Sequence, residues 1–132
     1  MIYTNRFSYN PTIKTIESMP VINEGKEYTN VQTAFIHVEK EDEEKENDVI
    51  KKALKNLKWI AGKNNTKHII LHSFAHLSES KADTDFTKTV FDKIEERLNS
   101  TGYIVNQTPF GYFLDLNIDA PGFSLARVFK EF

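Results

Sequence analysis

The chain has 132 residues, 17 Lys and Arg against 19 Asp and Glu for a net charge of -2, and no cysteine. The length suits one domain, 1–132, with a core of its own, and the absence of cysteine excludes disulfides, a thiolate metal site and a thiol nucleophile. No apolar run nears the roughly 20 residues of a membrane span, and MIYTNRFSYNP lacks the basic-then-apolar layout of a secretory signal, so the expectation is a cytoplasmic protein with no membrane partner.

Ile2 to Tyr9 alternates loosely and predicts a strand, which Asn10-Pro11 should end. Thr12 to Ile22 gives a weak signal for short strands or a hairpin. VQTAFIHV, Val31 to Val38, is β-rich and apolar enough for a buried strand. The charge run EKEDEEKE, Glu39 to Glu46, reads as a solvated loop, with an ion or partner site as the sharper alternative.

Asn47 and Asp48 then open a helix whose apolar face is Ile50, Ala53, Leu54, Leu57, Ile60 and Ala61, with Gly62 as its stop. Its other side carries Lys51, Lys52, Lys55, Lys58 and Trp59. That stripe is either a solvated surface or a contact for RNA phosphates: net charge argues against broad nucleic-acid affinity but not against a local basic face. HIILHS, His68 to Ser73, predicts a buried central strand. Phe86, Val90, Phe91, Ile94 and Leu98 mark a second amphipathic helix, stopped near Gly102. Tyr103 to Val105 starts a strand, Pro109 and Gly111 turn the chain, and Tyr112 to Ile118 alternates again. After the Pro121-Gly122 turn, Phe123 to Phe129 is expected to return as an antiparallel strand, with a last helix as the alternative. The fold class is α/β (α+β), a mixed β-sheet covered by two main helices.

His37, His68, His72 and His76 are the near-neutral titrators. His68 and His72 point to one side of their strand, but no third ligand converges in the pattern, so hydrogen-bonded histidines are expected rather than a metal site. His76 differs because its loop, FAHLS, follows a buried strand, and the carboxyl ends of sheet strands are where α/β folds bind ligands. The turn TPFGYF, Thr108 to Phe113, offers backbone donors beside aromatic rings, a pairing that can stack and hydrogen-bond a nucleobase. Both loops also read as plain structure.

AFIHVEK (Ala34 to Lys40), HSFAHLSE (His72 to Glu79) and GYIVNQTPFGYF (Gly102 to Phe113) resemble, in order and spacing, the motifs of the archaeal-type threonyl-tRNA synthetase N-terminal editing domain. The resemblance covers nearly the whole chain. It implies a D-aminoacyl-tRNA deacylase-like fold, a homodimer, the acceptor end of tRNA(Thr) as partner together with the catalytic part of a synthetase, and hydrolysis of serine wrongly attached to that tRNA. A pocket built for threonine cannot strongly exclude serine, which is smaller by one methyl, so a second site is needed. The resemblance also implies that Ala34, Phe74, Ala75, Pro109, Phe110, Gly111, Tyr112, Phe113 and Leu114 surround the substrate, that His76 orients it, and that no metal or nucleotide cofactor takes part. A weaker RNA contact would fall on Lys51, Lys55 and Lys58.

The chain departs from that pattern in three places. Tyr3-Thr4-Asn5 stands where the family usually has His-Ser-Asp, Phe113-Leu114 where it commonly has Tyr-Lys, and Arg127 where it has a glutamate. Leucine for lysine removes a charge that could fix substrate or water. Three functions follow: a Ser-tRNA(Thr) deacylase, a non-catalytic module for the acceptor end or for dimerisation, and a deacylase of different aminoacyl specificity.

Overall fold

In the computed structural model, which describes residues 1–132, five strands and two helices follow one another. They are β1 (Ile2–Lys14), β2 (Lys26–Ile36), α1 (Glu46–Lys63), β3 (His68–Ser73), α2 (Thr84–Asn99), β4 (Ile104–Gln107) and β5 (Tyr112–Asp119). The sheet order is β4-β3-β2-β1-β5. The β2, β3 and β4 strands run parallel, joined by α1 and α2, while β1 is antiparallel to both β2 and β5.

Both helices lie on one face of the sheet. The apolar stripes that the helical period lays down, Ile50, Leu54, Leu57 and Ala61 on α1 and Val90, Phe91, Ile94 and Leu98 on α2, meet Ala34, Ile69, Leu71 and Val105 in one cluster. The Asp83 carboxylate caps α2 by accepting from the Asp85 N–H at 3.1 Å. Gly62 falls inside the last turn of α1 rather than after it, and the helix runs on to Lys63.

The opposite face carries no helix, yet Phe7, Tyr9, Val31 and Ile70 are buried there, with Leu114, Leu116, Phe35 and Tyr28 packed on them. The sheet covers itself. Asn30 has a left-handed φ of 54°, and the β1–β2 pairing skips Asn5 and Asn30. Strict alternation would place Tyr28 and Val31 on opposite faces, whereas both reach the same cluster. The ladder turns at this point, and the far half of β1 carries β5 back over the face that lacks helices. Chain connectivity requires the roll. From Gln107 to Tyr112 the backbone spans at most about 18 Å, less than the roughly 19 Å between the edges of a flat five-stranded sheet before any offset along the strands is added.

Several expectations are corrected. Asn10-Pro11 does not end β1: Pro11 pairs with Leu114, and the ladder slips between Pro11 and Ile13. Beyond Tyr9 the strand has β5 on one side only, and an edge with a bulge tolerates a residue that has no N–H. Of Thr12 to Ile22, only the part up to Lys14 is strand, as the tail of β1. The Glu39 to Glu46 run is not a free loop: Lys40–Glu44 is a 3-10 turn with Asp42 buried, its carboxylate accepting from the Glu39 N–H at 2.9 Å. Phe123 to Phe129 is neither strand nor α-helix. Ser124–Ala126 is a single 3-10 turn, and only an Ile2–Arg127 bridge follows, flanked by hydrogen bonds between Met1 and Val128. The outer side of β1 is already taken by β5 from Arg6 onward, which leaves only Ile2 to Asn5 for the tail, and the Ser124–Ala126 turn limits the pairing to the bridge at Ile2.

Candidate functional site

Parallel pairing of β2, β3 and β4 brings their carboxyl ends together, and the loops after β3 and β4 carry the two motifs singled out in the sequence. The loop after β3, Phe74 to Asp83, is braced by the connection between β2 and α1. The Phe74 N–H donates to Ile36 O at 2.9 Å, and the Ala82 N–H to Val38 O at 3.1 Å. His37 holds the middle: its Nδ1 accepts the Leu77 N–H at 3.1 Å, so its Nε2 bears the proton and donates to Ser80 O at 2.7 Å. The Ser80 hydroxyl reaches the Glu41 carboxylate at 3.1 Å, and the Glu43 carboxylate accepts the Asp83 N–H at 3.0 Å. That amide, with Lys40 beside it, holds the Glu43 carboxyl below the usual carboxylate range. The acidic run therefore serves as a scaffold for the His76 loop.

His72, the penultimate residue of β3, ties that loop to the loop after β4. Its Nδ1 lies 2.8 Å from the Thr108 hydroxyl, and the Thr108 N–H donates to Leu71 O at 3.0 Å. Burial pushes the His72 pKa down to about 4, so the ring is neutral. A chain of rings leads outward from it. Phe35 is edge-on to His72 at 4.9 Å and to Phe74 at 5.4 Å, and Phe74 is edge-on to the exposed His76 at 4.9 Å. His68 is hydrogen-bonded instead, its Nε2 lying 2.8 Å from Asn106 Oδ1. No three His, Asp or Glu side chains converge as a metal would need.

In the second loop Pro109 is buried and the Phe110 ring faces Phe91 of α2 at 6.3 Å. Gly111 has φ +81°, and a Cβ there would lie 2.9 Å from Met19 Cγ and 3.0 Å from Ile16 Cβ. Its carbonyl accepts the Thr15 N–H at 2.7 Å, which locks the turn onto the end of β1. Gly111→Ala is expected to cost about 1–2 kcal/mol, from the left-handed backbone and the crowding together. Urea unfolding of the variant would measure it, and an unchanged midpoint would show that the turn tolerates a side chain.

His76 and the Pro109 to Tyr112 turn thus leave adjacent strands at one end of the sheet, joined through His72 and Thr108, with their rings on different neighbours. A largely apolar cavity of about 580 Å³ opens beside the loop after β3. Its walls include Ala34, Phe74, His37 and Leu77 together with α1 and the Val128 to Phe132 tail, but neither His76 nor the residues from Pro109 to Leu114. Tyr112 turns toward the β1–β2 loop, donating to Pro20 O at 2.6 Å and accepting the Ile22 N–H at 2.9 Å. Phe113 is exposed and Leu114 packs into the second core. Arg127 donates to Pro121 O at 2.9 Å, and the buried Thr4 hydroxyl donates to Val31 O at 3.0 Å. On α1, Lys51 and Lys55 are exposed and Lys58 is half-buried.

Sequence reading did not assign His37 or Thr108 a place in the site. Both lie inside the motif stretches AFIHVEK and GYIVNQTPFGYF, but nothing local marks either one as a partner for the opposite loop.

The family model described as the archaea-specific editing domain of threonyl-tRNA synthetase matches residues 1–132. The threonine–tRNA ligase of Thermococcus kodakarensis is 33% identical over 131 residues, covering 97% of this chain and 21% of that protein. The ligase of Pyrococcus furiosus is 30% identical over the same coverage, and that of Thermococcus gammatolerans 37% identical over 98 residues, 74% of this chain and 16% of the relative. The chain therefore spans about a fifth of the length of the curated relatives it matches. Among solved structures, the c-Myc DNA Unwinding Element Binding Protein superposes with a TM-score of 0.63 over 91% of this chain and 89% of that one, at 16% identity, a likeness of fold alone. The observed class is the expected one, α+β with a mixed sheet under two helices, D-aminoacyl-tRNA deacylase-like.

Proposed function

The chain belongs to the family of archaea-specific editing domains of threonyl-tRNA synthetase, and we propose that it hydrolyses the ester of serine wrongly attached to tRNA(Thr). The observation that carries this reading is the hydrogen-bonded union of the two motif loops, through His72 and Thr108, at the carboxyl ends of β3 and β4. Water adds to the ester carbonyl, the tetrahedral intermediate expels the ribose oxygen, and serine and free tRNA leave. His76, exposed beside the Phe74 ring, hydrogen-bonds and orients the substrate or the water. Backbone N–H groups of the two loops stabilise the oxyanion, and the terminal ribose hydroxyl helps to place the water. The partners are the acceptor end of tRNA(Thr), a second copy of the chain, and the catalytic part of a synthetase.

One observation favours a second reading, a non-catalytic module for the acceptor end or for dimerisation. Leu114, at the family's lysine position, is turned into the second core, and Arg127, at its glutamate position, is held by the Pro121 carbonyl. Neither offers the reaction a group equivalent to the one replaced. Serine and threonine charged separately onto the same tRNA(Thr) decide between the two. The proposal expects serine to be released well above the spontaneous rate and faster than threonine. Release at the spontaneous rate for both, with the tRNA still bound, would leave the binding module.

A further inference from the structure

The charge of this chain is strongly segregated. Between Lys51 and Lys67 stand six lysines (51, 52, 55, 58, 63 and 67) and no acid, so this stretch carries +6 and, with the chain at -2, the remainder carries -8. Five of the six take part in no ion pair, and Lys52 alone meets a carboxylate, that of Asp48. At 100° per residue Lys51, Lys55 and Lys58 fall within about 60° of one another on α1, rising in steps of about 6 and 4.5 Å. They run along the flank of the stripe that Ile50, Leu54, Leu57 and Ala61 bury, with Lys51 and Lys55 exposed and Lys58 half-buried, about 40° around the helix from Leu54. Gly62 comes next on that line and has open space above it. Trp59 flanks the line, 41% exposed, with the Lys130 ammonium 5.6 Å from its ring centroid. A row of unpaired cations costs self-repulsion unless an anion answers it; the one acid on this face, Asp48, is paired with Lys52, and none of the fold's 19 acids forms an ion pair with Lys51, Lys55 or Lys58.

We propose that this flank of α1, Lys51, Lys55 and Lys58 with Trp59 beside them, is a docking surface for the phosphate backbone of a duplex RNA stem. Charge complementarity argues for that occupant. So does position: α1 starts from the connection that braces the His76 loop and then runs about 27 Å. A stem whose 3′ end enters the loop site would therefore lie along the lysines. The choice of RNA rests on the editing reading, but the contact is separable from the chemistry, because none of these residues reaches the loops.

The test is fluorescence anisotropy with an acceptor-stem hairpin of tRNA(Thr) lacking the single-stranded 3′ end, titrated at several salt concentrations. The parent should bind it with a strong salt dependence. The triple variant Lys51→Gln, Lys55→Gln, Lys58→Gln should bind tenfold or more weakly, with a log–log salt slope shallower by about 2 to 3, one phosphate contact per lysine. Lys14→Gln, Lys26→Gln, Lys45→Gln, with the same change of net charge, should match the parent. Equal losses in both triples, or no hairpin binding by the parent, would overturn the proposal. So would binding by the parent to vesicles of anionic lipid in preference to the hairpin. Hairpin binding through these lysines without serine release would sink the editing reading and leave this one standing.

Discussion

Between pH 6.5 and pH 4 the fold is expected to lose about 3 kcal/mol through His72 alone, the free energy of moving its pKa from 6.5 down to about 4. The ring is 8% exposed, lies against Phe35 and Phe74, and gives Nδ1 to Thr108. Desolvation disfavours its charged form, so the folded chain keeps it neutral. Once the pH falls below 6.5 the unfolded chain takes up a proton at this position and the folded chain does not, which favours unfolding with each further step. The contribution is fully present above 6.5 and is lost progressively down to about 4, where the folded ring begins to take the proton as well. Other groups titrate in acid, Glu43 and Asp92 among them, both held below their ordinary range. The measurement is therefore a difference: urea unfolding of the parent and of His72→Gln across this interval. Glutamine can still meet the Thr108 hydroxyl but does not titrate, so the parent should lose about 3 kcal/mol more than the variant. Parallel pH profiles would show that the ring is protonated in the fold without cost. Because His72 and Thr108 join the two loops, the site should loosen in the same interval.

The helices were legible because each buries one stripe against a sheet, and a period of 3.6 leaves that stripe in the sequence at Ile50, Leu54, Leu57 and Ala61. The buried runs of β2 and β3 were legible for the same reason. The roll of the sheet was not. It depends on one left-handed asparagine, Asn30, and on pairings such as Pro11 with Leu114 that no local pattern records. Pro11 signals an end wherever a strand needs its N–H, and here one side of the strand has no neighbour. The site divides along the same line. His76 and the Pro109 to Tyr112 turn stood out by their place after strands and by the motifs they share with a family. His37 and His72 did not, since their partners, Ser80 and Thr108, lie 43 and 36 residues away. A histidine's role is set by what faces each ring nitrogen, and the topology supplies that.

His76→Ala is expected to slow serine release about ten- to a hundredfold while leaving the unfolding midpoint nearly unchanged. The imidazole is exposed, lies against the Phe74 ring and makes no hydrogen bond to another residue, so its removal takes little from the core. A hydrogen bond made to the reacting group, at about 1.4 kcal/mol per tenfold in rate, accounts for one to two powers of ten. Loop position must be separated from the group itself, and His37 allows that. His37→Ala removes the acceptor for the Leu77 N–H and the donor to Ser80 O, so the loop should loosen and the rate fall with His76 still present. The two variants differ in hydrogen exchange: the Leu77 amide should exchange faster in His37→Ala and stay protected in His76→Ala. His76→Asn, which retains a hydrogen-bonding side chain, should recover part of the rate if orientation is the role. Full activity in His76→Ala, alongside a parent that releases serine, would place the chemistry on the backbone donors and the ribose hydroxyl and leave His76 as a surface residue.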